Sequence, residues 1–408
     1  MKKRLINTYA KFVAAVGANV KKGDFVEITA GLDNPEFVLA VAEACYKLGA
    51  NDVRIEWYYD KFTKTRIKYT KESVLNKVQK WEIAKAELAL ERLPVRIFID
   101  SDDPNAYKGI NQKKLSKYYQ SRSKVLKPYR DKMENKCKWT IVAIPSESWA
   151  KTVFPKLTTK QAMEALWEAI LKTSRAYDGD PVENWKIHNA NLAKHCDILN
   201  NMDIDHLEYS SSNGTNLTVG LIKGASKFEA GQETIISGES FNPNIPSEEV
   251  FTTPDRLRTN GIVYSSKPLS YHGELIDKFY VKFENGKAIE AHAEVNDDLL
   301  NQLINMDEGA RYLGECAIVP FSSPINQSGI LFYNTLFDEN AVCHLALGAG
   351  FNETVPGFDK MTKEELLALG VNDSMIHVDF MIGTEDLKIT AVCRDGKKVP
   401  IFDGNWLI

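Results

Sequence analysis

Three apolar stretches in the second half of the sequence carry side chains of the kinds that bind metal ions. The stretches at 313–317, 338–348 and 376–383 contain Glu315, His344, and His377 with Asp379. Charge buried in such a stretch is costly, and it usually implies a cation or an ion pair. Residues two apart in a strand point to the same side, so His377 and Asp379 are expected to project together.

A fourth segment adds carboxylates to this set. Glu248 and Glu249 lie between two prolines within residues 244–254. Nitrogen and oxygen ligands without thiolate suit zinc, cobalt or manganese better than iron–sulfur clusters or calcium. With one of the adjacent Glu248 and Glu249 counted, the two histidines and three carboxylates exceed what one hydrolytic ion keeps when it leaves a coordination position open. The set therefore predicts a hydrolytic site with two metal ions.

Each motif is weak by itself. A His-x-Asp pair on a strand is more often a hydrogen-bonded pair than a metal site, and a single strand glutamate usually pairs with an arginine. The concentration of all of these residues in one half of the chain favours the metal interpretation. His188 and His195 have no carboxylate at ligand spacing, and we interpret them as ordinary partly buried histidines.

The bulk composition excludes several classes of protein. A length of 408 residues predicts two domains. A formal net charge of −4 gives no electrostatic argument for binding nucleic acid or an anionic membrane. The six cysteines form no CxxC pair, which argues against a disulfide framework and suits a reducing cytoplasm. No stretch reaches the roughly 20 apolar residues needed to cross a bilayer.

The first half alternates between strands and helices. A strand at Phe25–Thr29 precedes a helix that begins at Asn34-Pro35, with Asn34 as the expected cap, and a second strand follows at Asp52–Trp57. Further strands are predicted at 96–100 and 140–144, and further helices near 79–91, 104–127 and 158–176. This pattern predicts an α/β domain over residues 1–200 with a doubly wound parallel sheet.

The second half changes to an alternation with a period of two residues. Strands are predicted at 214–221, 278–284 and 287–293, and the turn at 284–287 is typical of a hairpin. Residues 201–408 are therefore expected to form a mixed, mainly antiparallel α+β domain that carries the metal site. The boundary is expected within or just after a helix at 181–201. No GxGxxG or P-loop pattern indicates a nucleotide.

Several motifs occur together in an order that resembles a known family. They are Pro-Ser-Glu-Glu-Val-Phe-Thr-Thr-Pro, Leu-Gly-Glu-Cys-Ala-Ile-Val-Pro, Phe-Tyr-Asn-Thr-Leu-Phe-Asp-Glu-Asn-Ala, Cys-His-Leu-Ala-Leu-Gly and His-Val-Asp-Phe-Met-Ile-Gly. The chain resembles the aminopeptidase T/aminopeptidase S family of metallopeptidases over nearly its whole length. The resemblance implies a dinuclear divalent metal site and a homodimer. It places the metal ligands at Glu249, Glu315, His344, His377 and Asp379.

One position departs from the family pattern. Many members have a tyrosine with a catalytic part shortly after the His-x-Ala-x-Gly segment, and the corresponding residue here is Phe351. Phenylalanine cannot donate a hydrogen bond to a developing oxyanion. Tyr333 is then a candidate substitute donor, and the alternatives are catalysis by metal alone or reduced turnover. Losing one oxyanion donor costs roughly 100- to 1000-fold in rate.

The resemblance implies release of N-terminal amino acids from oligopeptides, and the cysteine usage predicts a cytoplasmic location. The expected cofactors are two divalent ions, zinc or cobalt, with manganese and magnesium as alternatives. Glu315 is the candidate proton shuttle, and a bridging ligand is its other possible role. The rival hypotheses are another dinuclear hydrolase, such as an amidase or phosphoesterase, and a catalytically weakened peptide- or metal-binding protein.

Overall fold

The structure is a computed structural model that describes residues 3–271 and 273–408. The chain divides into two compact units. The first unit comprises residues 1–187 and 232–246, and the second comprises residues 188–231 and 247–408. The division falls inside the helix Pro181–Asn200, and fifteen residues of the later chain belong to the first unit.

The strands and helices follow in chain order. The strands are β1 (Phe25–Gly31), β2 (Asp52–Tyr58), β3 (Val95–Asp100), β4 (Trp139–Ala143), β5 (Ile204–Ser210), β6 (Asn216–Leu221), β7 (Glu233–Thr234), β8 (Ser240–Phe241), β9 (Asn244–Ile245), β10 (Val250–Thr252), β11 (Pro254–Tyr264), β12 (Leu269–Tyr271), β13 (Glu274–Glu284), β14 (Lys287–Val295), β15 (Leu313–Ile318), β16 (His344–Gly348), β17 (His377–Met381), β18 (Lys388–Cys393), β19 (Lys398–Asp403) and β20 (Asn405–Trp406). The α-helices are α1 (Lys3–Phe12), α2 (Pro35–Lys47), α3 (Asp60–Tyr69), α4 (Glu72–Leu75), α5 (Lys80–Arg92), α6 (Gln112–Met133), α7 (Glu147–Val153), α8 (Thr159–Thr173), α9 (Pro181–Asn200), α10 (Asp297–Ile304), α11 (Pro324–Gln327), α12 (Thr335–Asp338) and α13 (Lys363–Leu369).

A parallel sheet organises the first unit, in the strand order β2-β1-β3-β4-β9. One face of this sheet is apolar, and its side chains Val26, Ile28, Ile97 and Ile99 are at most 2 % exposed. The predicted α/β class is confirmed. The fifth strand was not predicted, because β9 contributes only two residues, which is too short for a periodic signal.

Two local predictions in the first unit were wrong. The helix expected at 104–127 begins at Gln112, where the Asn111 side chain accepts a hydrogen bond from Lys114 N–H at 3.0 Å, and it continues past Pro128 to Met133. Proline removes one helix hydrogen bond, but here that loss does not end the helix. Asn34 occupies the cap position of α2, yet its side chain donates to Pro145 O at 2.6 Å and does not cap.

The second unit consists mainly of antiparallel sheet, as predicted. A nine-stranded sheet follows the order β12-β13-β11-β6-β5-β18-β19-β20, with β14 paired to β13, and a four-stranded sheet follows the order β10-β15-β16-β17. The predicted turn joins β13 to β14, where Asn285 and Gly286 have φ of 48° and 82°. Both sheets contribute to one apolar core, with Leu207 and Val219 from the larger and Leu345 and Phe380 from the smaller.

The six cysteines are all free and buried. Among residues 3–271 and 273–408, the structure contains no helix that combines the length and the apolar character of a membrane span.

A buried lysine joins the returning segment 232–246 to the body of the first unit. Lys138 is 3 % exposed, and its Nζ lies 3.0 Å from Asp24 Oδ2, 2.9 Å from Glu239 Oε1 and 3.0 Å from Asn19 O. Three acceptors satisfy the three donors of the ammonium group. The lysine therefore connects Glu239 to Asp24, the residue directly before strand β1.

We predict that Lys138→Met lowers the free energy of unfolding by about 1–3 kcal/mol, because two partly buried carboxylates lose their counter-charge. Urea denaturation measures this difference, and amide exchange of residues 232–246 should accelerate. The exposed neighbour Lys136 provides the control, since Lys136→Met removes the same charge outside the network. Equal unfolding free energies for the two variants would contradict the prediction.

Candidate metal centre

The four-stranded sheet brings four of the predicted ligands to one face. Its register aligns Glu315 with Ala346 and Ala346 with Asp379, so the two carboxylates flank a methyl side chain. His344 lies two residues before Ala346, and His377 lies two residues before Asp379, which places both imidazoles on the same face. The small side chain of Ala346 leaves space between the polar groups.

The opposite face of this sheet is part of the apolar core. Cys316, Leu345, Leu347 and Phe380 alternate with the polar residues and are at most 2 % exposed. A one-residue slip of any strand would bury its polar residues in this core and expose its apolar ones. The burial of the core therefore fixes which residues of the sheet face the site.

The backbone at the end of β16 approaches its neighbour closely. Gly348 pairs with His377 and has φ of 110°, and a Cβ atom there would lie 2.1 Å from Ile376 O. A side chain at this position would push the β17 backbone away. Glycine therefore permits the pairing that positions His377.

The five predicted ligands form two overlapping groups. Glu249, Glu315 and His344 form one group, and Glu315, His377 and Asp379 form the other, with all ligand atoms of a group within 4.8 Å of one another. His344 Nε2 lies 3.1 Å from Glu249 Oε2, and His377 Nε2 lies 3.1 Å from Glu315 Oε2. Glu315 belongs to both groups and could bridge two ions.

Backbone carbonyls orient the two imidazoles. His377 Nδ1 lies 2.7 Å from Ala349 O, and His344 Nδ1 lies 3.3 Å from Val342 O. A carbonyl can only accept, so each Nδ1 carries the proton and each Nε2 is directed toward the carboxylates. Metal-binding histidines are commonly held this way, with one nitrogen on a carbonyl and the other on the ion.

The electrostatics of the group favour a cation. Burial raises the pKa of Glu315 to about 7, against the opposing hydrogen bond from His377. Burial alone would lower the pKa of His344, but the Glu249 carboxylate raises it to about 9. Burial alone would also raise the pKa of Asp379, but the imidazoles of His377 and His344 hold it well below its usual range. Protons on imidazole and carboxyl groups thus supply the positive charge that this group of acids requires.

One atom in the group has an unsatisfied bonding capacity. Asp379 Oδ1 is buried, and although it lies 3.4 Å from His377 Nε2, no described residue donates a hydrogen bond to it. A buried carboxylate oxygen without a donor is costly. An oxygen of this kind, among nitrogen and oxygen donors and without thiolate, fits a divalent ion such as zinc, cobalt or manganese.

Sequence reasoning missed Glu339, a further acid in this group. Burial raises its pKa well above the usual range, and the charges of Asp379, Glu249 and Glu315 add to the rise. Its side chain is hydrogen-bonded to Asp379. Glu339 lies in a short turn before His344, where the two-residue period of a strand does not apply, so the pattern that identified the other acids could not find it.

Asn340 connects this turn to the segment that carries Glu249. Its side chain is fully buried, Oδ1 accepts a hydrogen bond from Glu248 N–H at 2.7 Å, and Nδ2 donates to Leu336 O at 3.1 Å. The amide therefore fixes the backbone directly before Glu249. Glu248 itself belongs to neither ligand group.

Tyr333 lies outside the four-stranded sheet that carries four of the predicted ligands. It is half-buried in the loop before α12, with φ of 56°, and the Asp338 carboxylate accepts hydrogen bonds from the N–H groups of Phe332 and Asn334 on either side of it. Within the described part of the chain, no contact joins its hydroxyl to the acids or imidazoles of the groups. Its catalytic role stays a prediction.

Phe351 lies beside the ligands. Its ring centroid is 4.8 Å from that of His377 and 5.1 Å from that of Phe251. Thr253 Oγ1 accepts a hydrogen bond from Phe351 N–H at 2.8 Å and donates to Phe351 O at 3.1 Å, which fixes the backbone at this position. The aromatic ring therefore borders the candidate metal centre.

The known proteins that this chain resembles agree with a metal centre. The chain matches the family model described as thermophilic metalloprotease (M29) over residues 2–406. It is 40 % identical to aminopeptidase AmpS of Bacillus subtilis over 403 residues, covering 98 % of each chain. It is 35 % identical to aminopeptidase T of Thermus aquaticus over 405 residues, covering 99 % of this chain and 98 % of that one. The solved structure of wild-type AmpT from Thermus thermophilus superposes with a TM-score of 0.91 at 33 % identity, covering 100 % of both chains. The chain therefore belongs to the thermophilic metalloprotease (M29) family, whose members are enzymes that hydrolyse peptide bonds.

Proposed function

We propose that this protein is an aminopeptidase that releases N-terminal amino acids from oligopeptides with the help of two divalent metal ions. The observation that carries the proposal is the pair of ligand groups that share Glu315. The names of the relatives support the exopeptidase reaction, since AmpS and aminopeptidase T are both called aminopeptidases. Zinc or cobalt suits the donor set best, and manganese or magnesium could substitute.

Each proposed ligand has a defined part. Glu249 and His344 would hold one ion, His377 and Asp379 the other, and Glu315 both. Glu339 is a candidate additional ligand because its carboxyl group interacts electrostatically with those of Asp379, Glu249 and Glu315. When bound, such ions supply Lewis-acid activation of water and of a carbonyl group.

The chain's own residues would do the remaining work. Glu315 is our candidate to accept the proton of the attacking water and return it to the leaving amine. Phe251 and Phe351 would border the substrate and exclude water from it.

The cellular setting is also a proposal. We infer a cytoplasmic homodimer, because the resemblance to the family implies a dimer and six free, buried cysteines suit a reducing compartment. The rival hypothesis of a weakened binding protein rests on Phe351, and the experiments below distinguish it from an enzyme.

We predict that divalent metal stabilises the protein, because the ions replace protons among buried acids. At a free metal concentration of 100 times Kd the gain is about 2.7 kcal/mol per site. Thermal melting with zinc, cobalt, manganese or magnesium, and after chelation, measures the change. Asp379→Asn should reduce the metal-induced shift in Tm, whereas Glu248→Gln, the neighbouring acid outside both groups, should preserve it. Absence of a shift with all four metals would refute the metal site.

We predict that Glu315→Gln abolishes hydrolysis of a leucyl anilide, because the amide cannot accept the proton from water. The exposed carboxylate Glu308 serves as the control, and Glu308→Gln should retain full turnover. An N-terminally acetylated substrate should resist the wild-type enzyme. Unchanged turnover of Glu315→Gln would eliminate its role as shuttle, and cleavage of the acetylated substrate would indicate an endopeptidase.

We predict that Phe351→Tyr raises kcat by about tenfold or more, because it adds a hydrogen-bond donor beside His377, and one oxyanion donor is worth roughly 100- to 1000-fold. Phe251→Tyr adds the same hydroxyl to the adjacent ring and should have a smaller effect. Steady-state kinetics on the leucyl substrate give the comparison. An equal or lower kcat for Phe351→Tyr would show that this enzyme completes the reaction without a donor at that position.

A further inference from the structure

One face of the parallel sheet in the first unit carries charge where apolar side chains are expected. Strands of a parallel sheet are normally covered on both faces and are apolar on both. The face opposite to Val26 and Ile97 instead presents Glu27, Glu56 and Arg96. These residues line a cavity of about 320 Å³ together with side chains of α5 and α6.

The charges in this cavity are unevenly compensated. Lys85 pairs with both Glu27 and Glu56, and Arg122 pairs with Glu82. Within the described part of the chain, no carboxylate lies at ion-pair distance from Arg96. Arg130, which also lines the cavity, has no carboxylate at that distance among the same residues.

Two guanidinium groups have buried donors without acceptors. Arg96 Nε and Arg122 Nη1 are buried, and neither donates a hydrogen bond to any of the residues that the structure describes. Arg96 Nη2 donates to the sulfur of Met133 at 3.3 Å, and a thioether is a weak acceptor. Burial lowers the pKa of Arg122, and the nearby charge of Arg66 lowers it further. The arginine end of the cavity therefore offers buried donors that could bind an anion.

The other walls define the size and character of a ligand that would fit the cavity. Trp81, Phe98, Leu126 and Met133 provide an apolar and aromatic surface. A volume of about 320 Å³ is near the lower limit of ligand pockets, which favours a small ligand. The planar fork of arginine matches a carboxylate in geometry.

We propose that this cavity binds a small carboxylate with an apolar body. A free apolar amino acid is one source of this chemistry, because Glu27 and Glu56 share a single lysine and leave negative charge for an ammonium group. A simple monocarboxylic acid is the other source. The amino-acid source depends on the proposed function, since amino acids are the products of that reaction, whereas the carboxylate site does not.

The test is calorimetric titration of the full-length protein with L-phenylalanine, 3-phenylpropionate and phenethylamine. Both carboxylates should bind and the amine should not. Arg96→Gln and Arg122→Gln should each weaken binding by about tenfold or more, the loss expected for a charged hydrogen-bonded pair. Arg54→Gln removes an exposed arginine of strand β2 that pairs with Asp52, and it should leave Kd unchanged.

Each outcome has a defined meaning. Tighter binding of phenylalanine than of 3-phenylpropionate supports the amino-acid source, and equal binding supports the simple acid. Absence of carboxylate binding, or binding that both arginine variants retain, would overturn the proposal. Retained binding would assign the ligand to another place, such as the metal centre.

If the arginine variants do not fold, tryptophan fluorescence of the wild-type protein tests for ligand binding in the cavity. Trp81 lines the cavity, so ligand should change the protein's tryptophan emission, and Trp81→Phe should remove most of that change. An unchanged response in Trp81→Phe would contradict the site. Neither measurement requires peptide hydrolysis, so an inactive but ligand-binding protein would refute only the proposed function.

Discussion

The burial of several acids and two imidazoles on one face of a four-stranded sheet is the constraint on which the second unit depends. These groups could not stay buried together as free charges, because each loses hydration and the acids repel one another. Protons or cations must balance them. The opposite face of the same strands is apolar core, so the sheet cannot turn the polar groups toward solvent without exposing that core. Hydrophobic packing thus maintains an arrangement that electrostatics alone would disperse.

The first unit places charges of both signs beside its sheet. One face of the sheet is apolar, and the cavity between the other face and two helices is lined by three arginines, one lysine and three glutamates. In both units a buried polar atom without a hydrogen-bond partner indicates what kind of ligand the site could bind. In the second unit that atom is an acceptor, Asp379 Oδ1, and in the first unit the atoms are donors, Arg96 Nε and Arg122 Nη1. Buried polar atoms are normally paired, so an unpaired acceptor favours a cation and unpaired donors favour an anion.

The sequence was informative where a periodic pattern and a chemical type coincided. His377 and Asp379 share a side because strands repeat every two residues, and the structure has them on one strand as predicted. Glu339 was not predicted because it lies in a turn, where the two-residue pattern of a strand does not apply. It is nevertheless only five residues before His344. Strand β9 was not predicted because two residues are too short for a periodic signal. The helix α6 was predicted to end before Pro128 because local propensity disfavours proline inside a helix, and the structure continues it to Met133. The cavity at Arg96 could not be predicted, because which helices cover a sheet face depends on the fold of residues distant in sequence.

Strand β9 has a consequence for how the first unit is completed during synthesis. Its two residues pair with β4 and cover the edge of the parallel sheet, and they lie about a hundred residues beyond that strand in the chain. Until the ribosome has passed residue 246, β4 is an open edge with unpaired backbone groups. A fragment that ends at residue 200 would keep that edge permanently, together with a Lys138 that lacks Glu239. The last strand of the first unit is therefore synthesised long after the strand that it pairs with. Fragments that end at the boundary predicted from the sequence would lack this strand and would be prone to aggregate.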